Sequence, residues 1–167
     1  EADGYTTYTC TVCGDSYVVT DEGSKLIAVA EANGEKYQTL AEALAAGGNV
    51  TLLADIDTDA AFVVNNTVTL NLNGFDVKST KNDTVGDGVF HVVAGGDLTI
   101  NGEGEINGVG GSSYAMAIWA DGGKVTINGG TYTNVGAGDD DHYDVIYVKN
   151  GGEVVINGGT FTMTGGE

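Results

Sequence analysis

The sequence predicts an all-β fold: a right-handed parallel β-helix (a solenoid of about four to five coils) with a short N-terminal capping helix and a small N-terminal β-hairpin. Three observations predict it. Glycine makes up 28 of 167 residues while proline is absent, so the chain turns tightly and often without stiff linkers. A strand-plus-turn phrase recurs: Val68-Thr-Leu-Asn-Leu-Asn-Gly74, Leu98-Thr-Ile-Asn-Gly102, Val125-Thr-Ile-Asn-Gly129 and Val154-Val-Ile-Asn-Gly158. Two further phrases flank the later copies in fixed order.

The copies start at 68, 98, 125 and 154, intervals of 30, 27 and 29 residues. Before the later copies stand Ala94-Gly-Gly-Asp97, Asp121-Gly-Gly-Lys124 and Asn150-Gly-Gly-Glu153. After the last two stand Gly130-Thr-Tyr-Thr133 and Gly159-Thr-Phe-Thr162. Three short alternating strands per period, separated by tight turns, describe a coil that pairs each strand with its copies in neighbouring coils. Asn-Gly pairs suit turns that need positive φ. Asn101, Asn128 and Asn157 are expected to stack as an amide ladder. An antiparallel sandwich of Asn-Gly hairpins is the competing architecture, but it does not explain why the whole three-phrase unit repeats.

Counting back from each copy sorts the preceding strand into columns. Phe90, Ala117 and Ile146 form one, and Val92, Trp119 and Val148 the next but one; both are apolar and are expected to point inward. His91, Ile118 and Tyr147, with Val89, Met116 and Val145 beside them, are then expected outward. So apolar an outward face marks a candidate contact surface of His91, Met116, Ile118, Val145 and Tyr147, unless a neighbouring loop shields it.

Residues 23–60 read as an N-terminal cap. Thr39 and Glu42 make a capping box, Leu40, Ala43 and Leu44 an apolar stripe, and Gly47-Gly48 a stop, so a helix is expected near 39–46. It would cover strand edges at that end. No comparable cap is recognisable after Thr164, so the last coil is expected to be covered by further coils or by another subunit.

Charge narrows the partners. With 24 acidic residues against six lysines and no arginine, the net charge is −18, which disfavours nucleic acid and anionic membranes. Another protein subunit, a neutral glycan or a cation is compatible, although the acidity also serves plain solubility. No stretch approaches the ~20 apolar residues of a membrane span, so no membrane insertion is expected. The third phrase offers threonines in place of paired aspartates, and no Ser-His-Asp set, phosphate loop or dinucleotide fingerprint appears. No catalytic set is expected.

Two places could carry chemistry. Cys10-Thr-Val-Cys13 is a CxxC between alternating Tyr/Thr stretches, open to three readings: a zinc half-site, a local disulfide or, less fittingly in a strand context, a redox dithiol. Asp139-Asp140-Asp141-His142-Tyr143-Asp144 places four carboxylates and a histidine in one loop, a candidate Ca2+ or glycan contact weighed against a merely solvated acidic loop.

The stretches from Asp121 to Asn134 and from Asn150 to Thr164 resemble the right-handed β-helix repeats of pectate-lyase-like proteins. The likeness is to non-catalytic versions in Firmicutes surface proteins and phage fibres. The opening Gly4-Tyr-Thr-Thr-Tyr-Thr-Cys-Thr-Val-Cys-Gly-Asp-Ser-Tyr17 resembles a small module of clostridial cell-surface proteins. That module brings a further Cys just upstream and sometimes a His, both of which would precede Glu1. The resemblance implies an extracellular setting, on a bacterial cell or a virion.

The expected organisation is a CxxC β-hairpin module over 1–22, the cap over 23–60 and β-helix coils over 61–167. The expected function is a non-catalytic extracellular structural or adhesion scaffold. A carbohydrate-active enzyme and a self-assembling filament subunit, stacking end to end as a homo-oligomer, are the alternatives.

Overall fold

A computed structural model describes residues 4–20, 27–79, 88–110, 116–136 and 144–164. The first described segment is a hairpin of β1 (Tyr5–Thr9) and β2 (Ser16–Thr20), antiparallel from Tyr5 opposite Thr20 to Thr9 opposite Ser16. A second hairpin follows, β3 (Ala30–Ala32) and β4 (Glu35–Tyr37), closed by Asn33 and Gly34 at φ 53° and 86°. Two successive left-handed residues make the tight turn that suits a two-residue hairpin loop.

The single described helix, α1 (Leu40–Ala46), starts at Thr39, whose Oγ1 accepts from the Glu42 N–H at 3.3 Å and donates to Glu42 Oε2 at 2.7 Å. Thr39 is thus the N-cap read from the sequence, with the Glu42 carboxylate bound to its hydroxyl, and Leu40, Ala43 and Leu44 are the buried face. Gly47, at φ 70°, ends the helix.

Thereafter the chain makes short strands: β5 (Gly48–Leu52), β6 (Ile56–Thr58), β7 (Phe62–Val64), β8 (Thr67–Asn71) and β9 (Val77–Ser79). Then come β10 (Phe90–Val93), β11 (Asp97–Asn101), β12 (Glu105–Gly110), β13 (Ile118–Asp121), β14 (Lys124–Ile127) and β15 (Thr131–Gly136). The last are β16 (Ile146–Lys149), β17 (Glu153–Ile156) and β18 (Thr160–Thr164). Strands three apart in sequence pair in parallel, in sheets ordered β16-β13-β10-β7 and β18-β15-β12-β9-β6. A seven-stranded sheet, β17-β14-β11-β8-β5-β3-β4, is mixed: β3 and β4 join it antiparallel.

This corrects the expected architecture. The chain does not form a single right-handed β-helix solenoid of about four to five coils. Its strands divide among a two-stranded antiparallel sheet, parallel sheets of four and five strands, and the mixed sheet of seven. The reason lies in residues 27–37, where the Asn33-Gly34 turn folds the chain back on itself and lays β3 against β5, a pairing outside the repeated phrases.

Within the parallel part the repeated phrases have plain physical roles. Asn128 Nδ2 donates to Asn101 Oδ1 at 2.7 Å and Asn157 Nδ2 to Asn128 Oδ1 at 2.8 Å, so the expected amide ladder forms. In each Gly-Gly phrase the first glycine sits at positive φ: 91° at Gly95, 77° at Gly122, 79° at Gly151. The second presses on neighbouring backbone. A Cβ on Gly96, Gly123 or Gly152 would lie 2.3, 2.5 or 2.3 Å from the carbonyl oxygens of Val64, Val93 and Ala120. No other residue fits there without displacing a strand.

The core lies between the sheets. Val68, Leu98 and Val125 are buried in one column, and Leu70, Ile100 and Ile127 in another. Leu72, Ile106 and Tyr132 are buried beside them. Tyr132 keeps its hydroxyl satisfied by donating to Gly129 O at 2.9 Å, and burial pushes its phenol pKa upward.

Candidate functional site

The expected contact surface is redrawn by one residue of register. Phe90 stands opposite Ile118 and Ile146, His91 opposite Trp119 and Tyr147, and Val92 opposite Ala120 and Val148. Three residues separate β10 from β11 and β16 from β17, but only Gly122 and Gly123 separate β13 from β14. Counting back across that shorter turn shifts the middle strand by one and swaps its faces. Ile118 and Met116 are therefore buried rather than outward, and Val145 packs against the core half-buried. Trp119, expected inside, is instead partly exposed.

The corrected column is an aromatic ladder of His91, Trp119 and Tyr147. The His91 and Trp119 rings stack at 4.2 Å and 5° between planes; Trp119 and Tyr147 meet at 6.0 Å and 55°. His91 Nε2 lies 3.2 Å from Asp121 Oδ2, and Asn150 Nδ2 donates to Asp121 Oδ1. These two contacts, Asn150 first, hold the Asp121 carboxyl below the usual carboxylate range. Because the His91 and Trp119 rings face one another, with Tyr147 tilted beside them, this pair suits mutual stabilisation better than stacking a flat ligand.

The strands of the last period carry the larger unexplained surface. β16, β17 and β18 each end a sheet, so each offers an unpaired edge among the described residues. Their inward positions are open although their column mates are buried. Ile156 is 52% exposed where Ile127 and Ile100 are 0%, and Val148 is 47% exposed where Ala120 and Val92 are 0%. Val155 and Met163 are also exposed. Phe161 stacks one face on Tyr132, at 5.1 Å and 14°. Residues 144–164 hold one lysine, Lys149, against Asp144 and Glu153, a net charge of −1 for the described part of this period.

Cys10 and Cys13 sit in the turn between β1 and β2, both exposed and both free thiols. The turn is fastened by Cys10 N–H to Asp15 O at 2.7 Å and Gly14 N–H to Cys10 O at 2.9 Å, with Gly14 at φ 82°. The Cys13 N–H points at Cys10 Sγ, 3.3 Å away. Hydrogen bonds from the Cys13 side chain, then from the Cys13 and Val12 backbone, lower the Cys10 thiol to about 7.

Of the acidic loop, Asp139, Asp140, Asp141, His142 and Tyr143 lie outside the described residues. Asp144 is exposed, and its carbonyl accepts from Asn134 Nδ2 at 2.9 Å. Among the described residues no three His, Cys, Asp or Glu side chains gather to hold a metal. A groove of about 290 Å³ runs between the start of α1 and β6–β7, lined in part by Gln38, Thr39, Asp55, Asp57 and Phe62. Asp55 Oδ1 already accepts the Asp76 N–H at 2.9 Å, and Asp76 Oδ1 the Glu105 N–H at 2.8 Å, a structural use of both carboxylates.

No described helix is long and apolar enough to cross a membrane. No protein-family model, curated protein or solved structure matches this chain.

Sequence reasoning missed the aromatic ladder as a ladder. The signal was present in the two-residue Gly122-Gly123 turn, had the strands been aligned by their own pattern rather than by the following phrase.

Proposed function

We propose that this chain is a non-catalytic, extracellular structural scaffold whose β16–β18 end is a docking surface for further β-structure, taken by a second copy when the chain stands by itself in solution. The observation that carries the reading is the fall in burial along single columns, from 0% exposed at Ile127 to 52% at Ile156. Apolar side chains and three strand edges in one place form a surface that stays soluble best when covered. A second copy presents the same apolar side chains and strand edges, and although two chains of −18 repel, salt screens that repulsion. The likeness of the repeats to those of bacterial surface proteins and phage fibres supports the extracellular setting.

Light scattering on the purified chain across a concentration and salt series tests the reading. Mass should double with concentration, at lower concentration in higher salt, because screening weakens the repulsion of like-charged chains. Ile156→Asp should abolish the growth while leaving the β-sheet circular dichroism unchanged. A single-chain mass at every concentration and salt overturns the proposal.

A further inference from the structure

We propose that the groove between α1 and β6 takes an extended basic peptide, which joins β6 as one more strand and lays a basic–apolar–basic triplet along it.

β6 is the end strand of its five-stranded sheet and pairs on one side only, with β9. The Ile56 N–H bonds to Asp76 O at 2.8 Å, so the backbone of Ile56 is turned toward β9. Alternation along a strand turns the N–H and C=O of Asp57 the other way, to the side where no described strand pairs with them. The helix packs mainly on β3, β4, β5 and β7, so it does not close this edge. Beside the edge lies the groove of about 290 Å³. A sheet edge with free N–H and C=O groups, walled by a helix, is a setting in which an extended peptide binds by adding a strand.

The two faces of β6 decide which side chains that strand carries. Ile56 is buried and, with Leu40 and Phe62, gives the groove an apolar floor. Asp55 and Asp57, on either side of Ile56, share the opposite face, and both are exposed. Asp55 Oδ1 accepts the Asp76 N–H, which leaves Asp55 Oδ2 and the whole Asp57 carboxylate open. Their neighbours on the β9 side are Asp76 and Lys78, so three carboxylates meet one ammonium on this face. Among the described residues no ion pair forms to Asp55 or Asp57. Opposite charges that stand across from one another on paired strands stabilise the pairing. The incoming strand therefore sets lysine or arginine beside Asp55 and Asp57, with an apolar residue between them over the floor. A second copy of this chain cannot supply the triplet. It has no arginine, and none of its six lysines lies two residues from another. The occupant is a segment of a different, basic protein.

This inference does not rest on the β16–β18 surface, which lies at the other end of the same sheets. The test titrates the full-length chain, at a concentration where it has a single mass, with the capped peptide acetyl-Lys-Leu-Lys-Val-Lys-amide. Nuclear magnetic resonance follows binding and backbone amide exchange together. The expected result is saturable binding with slowed exchange at the Asp57 amide. Asp57→Lys should weaken binding about tenfold, because one opposite-charge pair becomes a like-charge pair. Glu153→Gln, which removes one negative charge elsewhere, and Ile156→Asp should leave it unchanged, so failure at one surface is not confused with failure at the other. Equal binding of acetyl-Lys-Lys-Lys-Leu-Val-amide, which keeps the charge and loses the alternation, overturns the proposal. Binding that leaves Asp57 exchange unaltered overturns it too, as does no binding in the millimolar range.

Discussion

Truncating three isoleucine or valine-sized positions of one column, one at a time, measures how the core ends. Ile100, Ile127 and Ile156 occupy successive strands of the same register, on β11, β14 and β17. Ile100 and Ile127 are 0% exposed, so replacement by alanine removes buried methylenes and leaves a cavity, costing about 2–5 kcal/mol. Ile156 is 52% exposed, so roughly half its transfer free energy is already forfeited and no enclosed cavity forms. Its truncation should cost only about 1 kcal/mol in dilute protein. Chemical denaturation followed by far-ultraviolet circular dichroism reads all three. If a second copy covers this end, the Ile156→Ala loss should grow with protein concentration while those of Ile100→Ala and Ile127→Ala stay fixed. An Ile156→Ala loss in dilute solution as large as that of Ile127→Ala would refute the exposed end. A loss of under about 1 kcal/mol at Ile127 would refute the column itself.

Trp119→Ala should leave the protein folded and lose about 0.5–1.5 kcal/mol of ring stacking together with a modest burial term, measured by denaturation; outright unfolding would return Trp119 to the core. Gly123→Ala should destabilise by about 1–3 kcal/mol, because the added methyl would sit 2.5 Å from Val93 O; an unchanged midpoint would show that the neighbouring strand gives way freely. Cys10 should alkylate with a pH midpoint of about 7 rather than the ordinary 9.0. Its folded-state value is depressed, so the thiolate and the turn stability linked to it are lost as pH falls through about 7. Iodoacetamide labelling followed by peptide mass spectrometry reads this, and a midpoint near 9 would refute the hydrogen-bonded turn.

Much of the local structure is legible in the sequence because it depends on local chemistry. The N-cap at Thr39, the amide ladder at Asn101, Asn128 and Asn157, and the parallel pairing of repeated phrases follow from residue type and spacing. Two features escaped for physical reasons. The phrases describe only how like strands pair, so they are silent on β3 and β4, whose Asn33-Gly34 turn is a hairpin signal of a different kind. The side-chain alternation of a strand has a period of two, so one residue missing from the turn before Lys124 exchanged Ile118 for Trp119. Of the candidate sites, Cys10 and Cys13 stand out by their CxxC spacing, which by itself does not distinguish free thiols from a disulfide or a pair of metal ligands. The β16–β18 end is not, since its side chains are ordinary core residues made unusual only by what does not lie on them.

The amide ladder has a consequence for how such a sequence can change over time. Asn128 donates to Asn101 and accepts from Asn157, its copies one period away on either side, and each Gly-Gly pair is fitted to a backbone that many residues separate from it in the chain. Within a strand, an insertion or deletion of one residue would exchange its faces, and one of two residues would shift its register against its neighbours. Gain or loss of a whole period would leave every ladder intact. Lineages of this gene should therefore differ in length by whole multiples of the period, with single-residue differences confined to turns such as Gly122-Gly123.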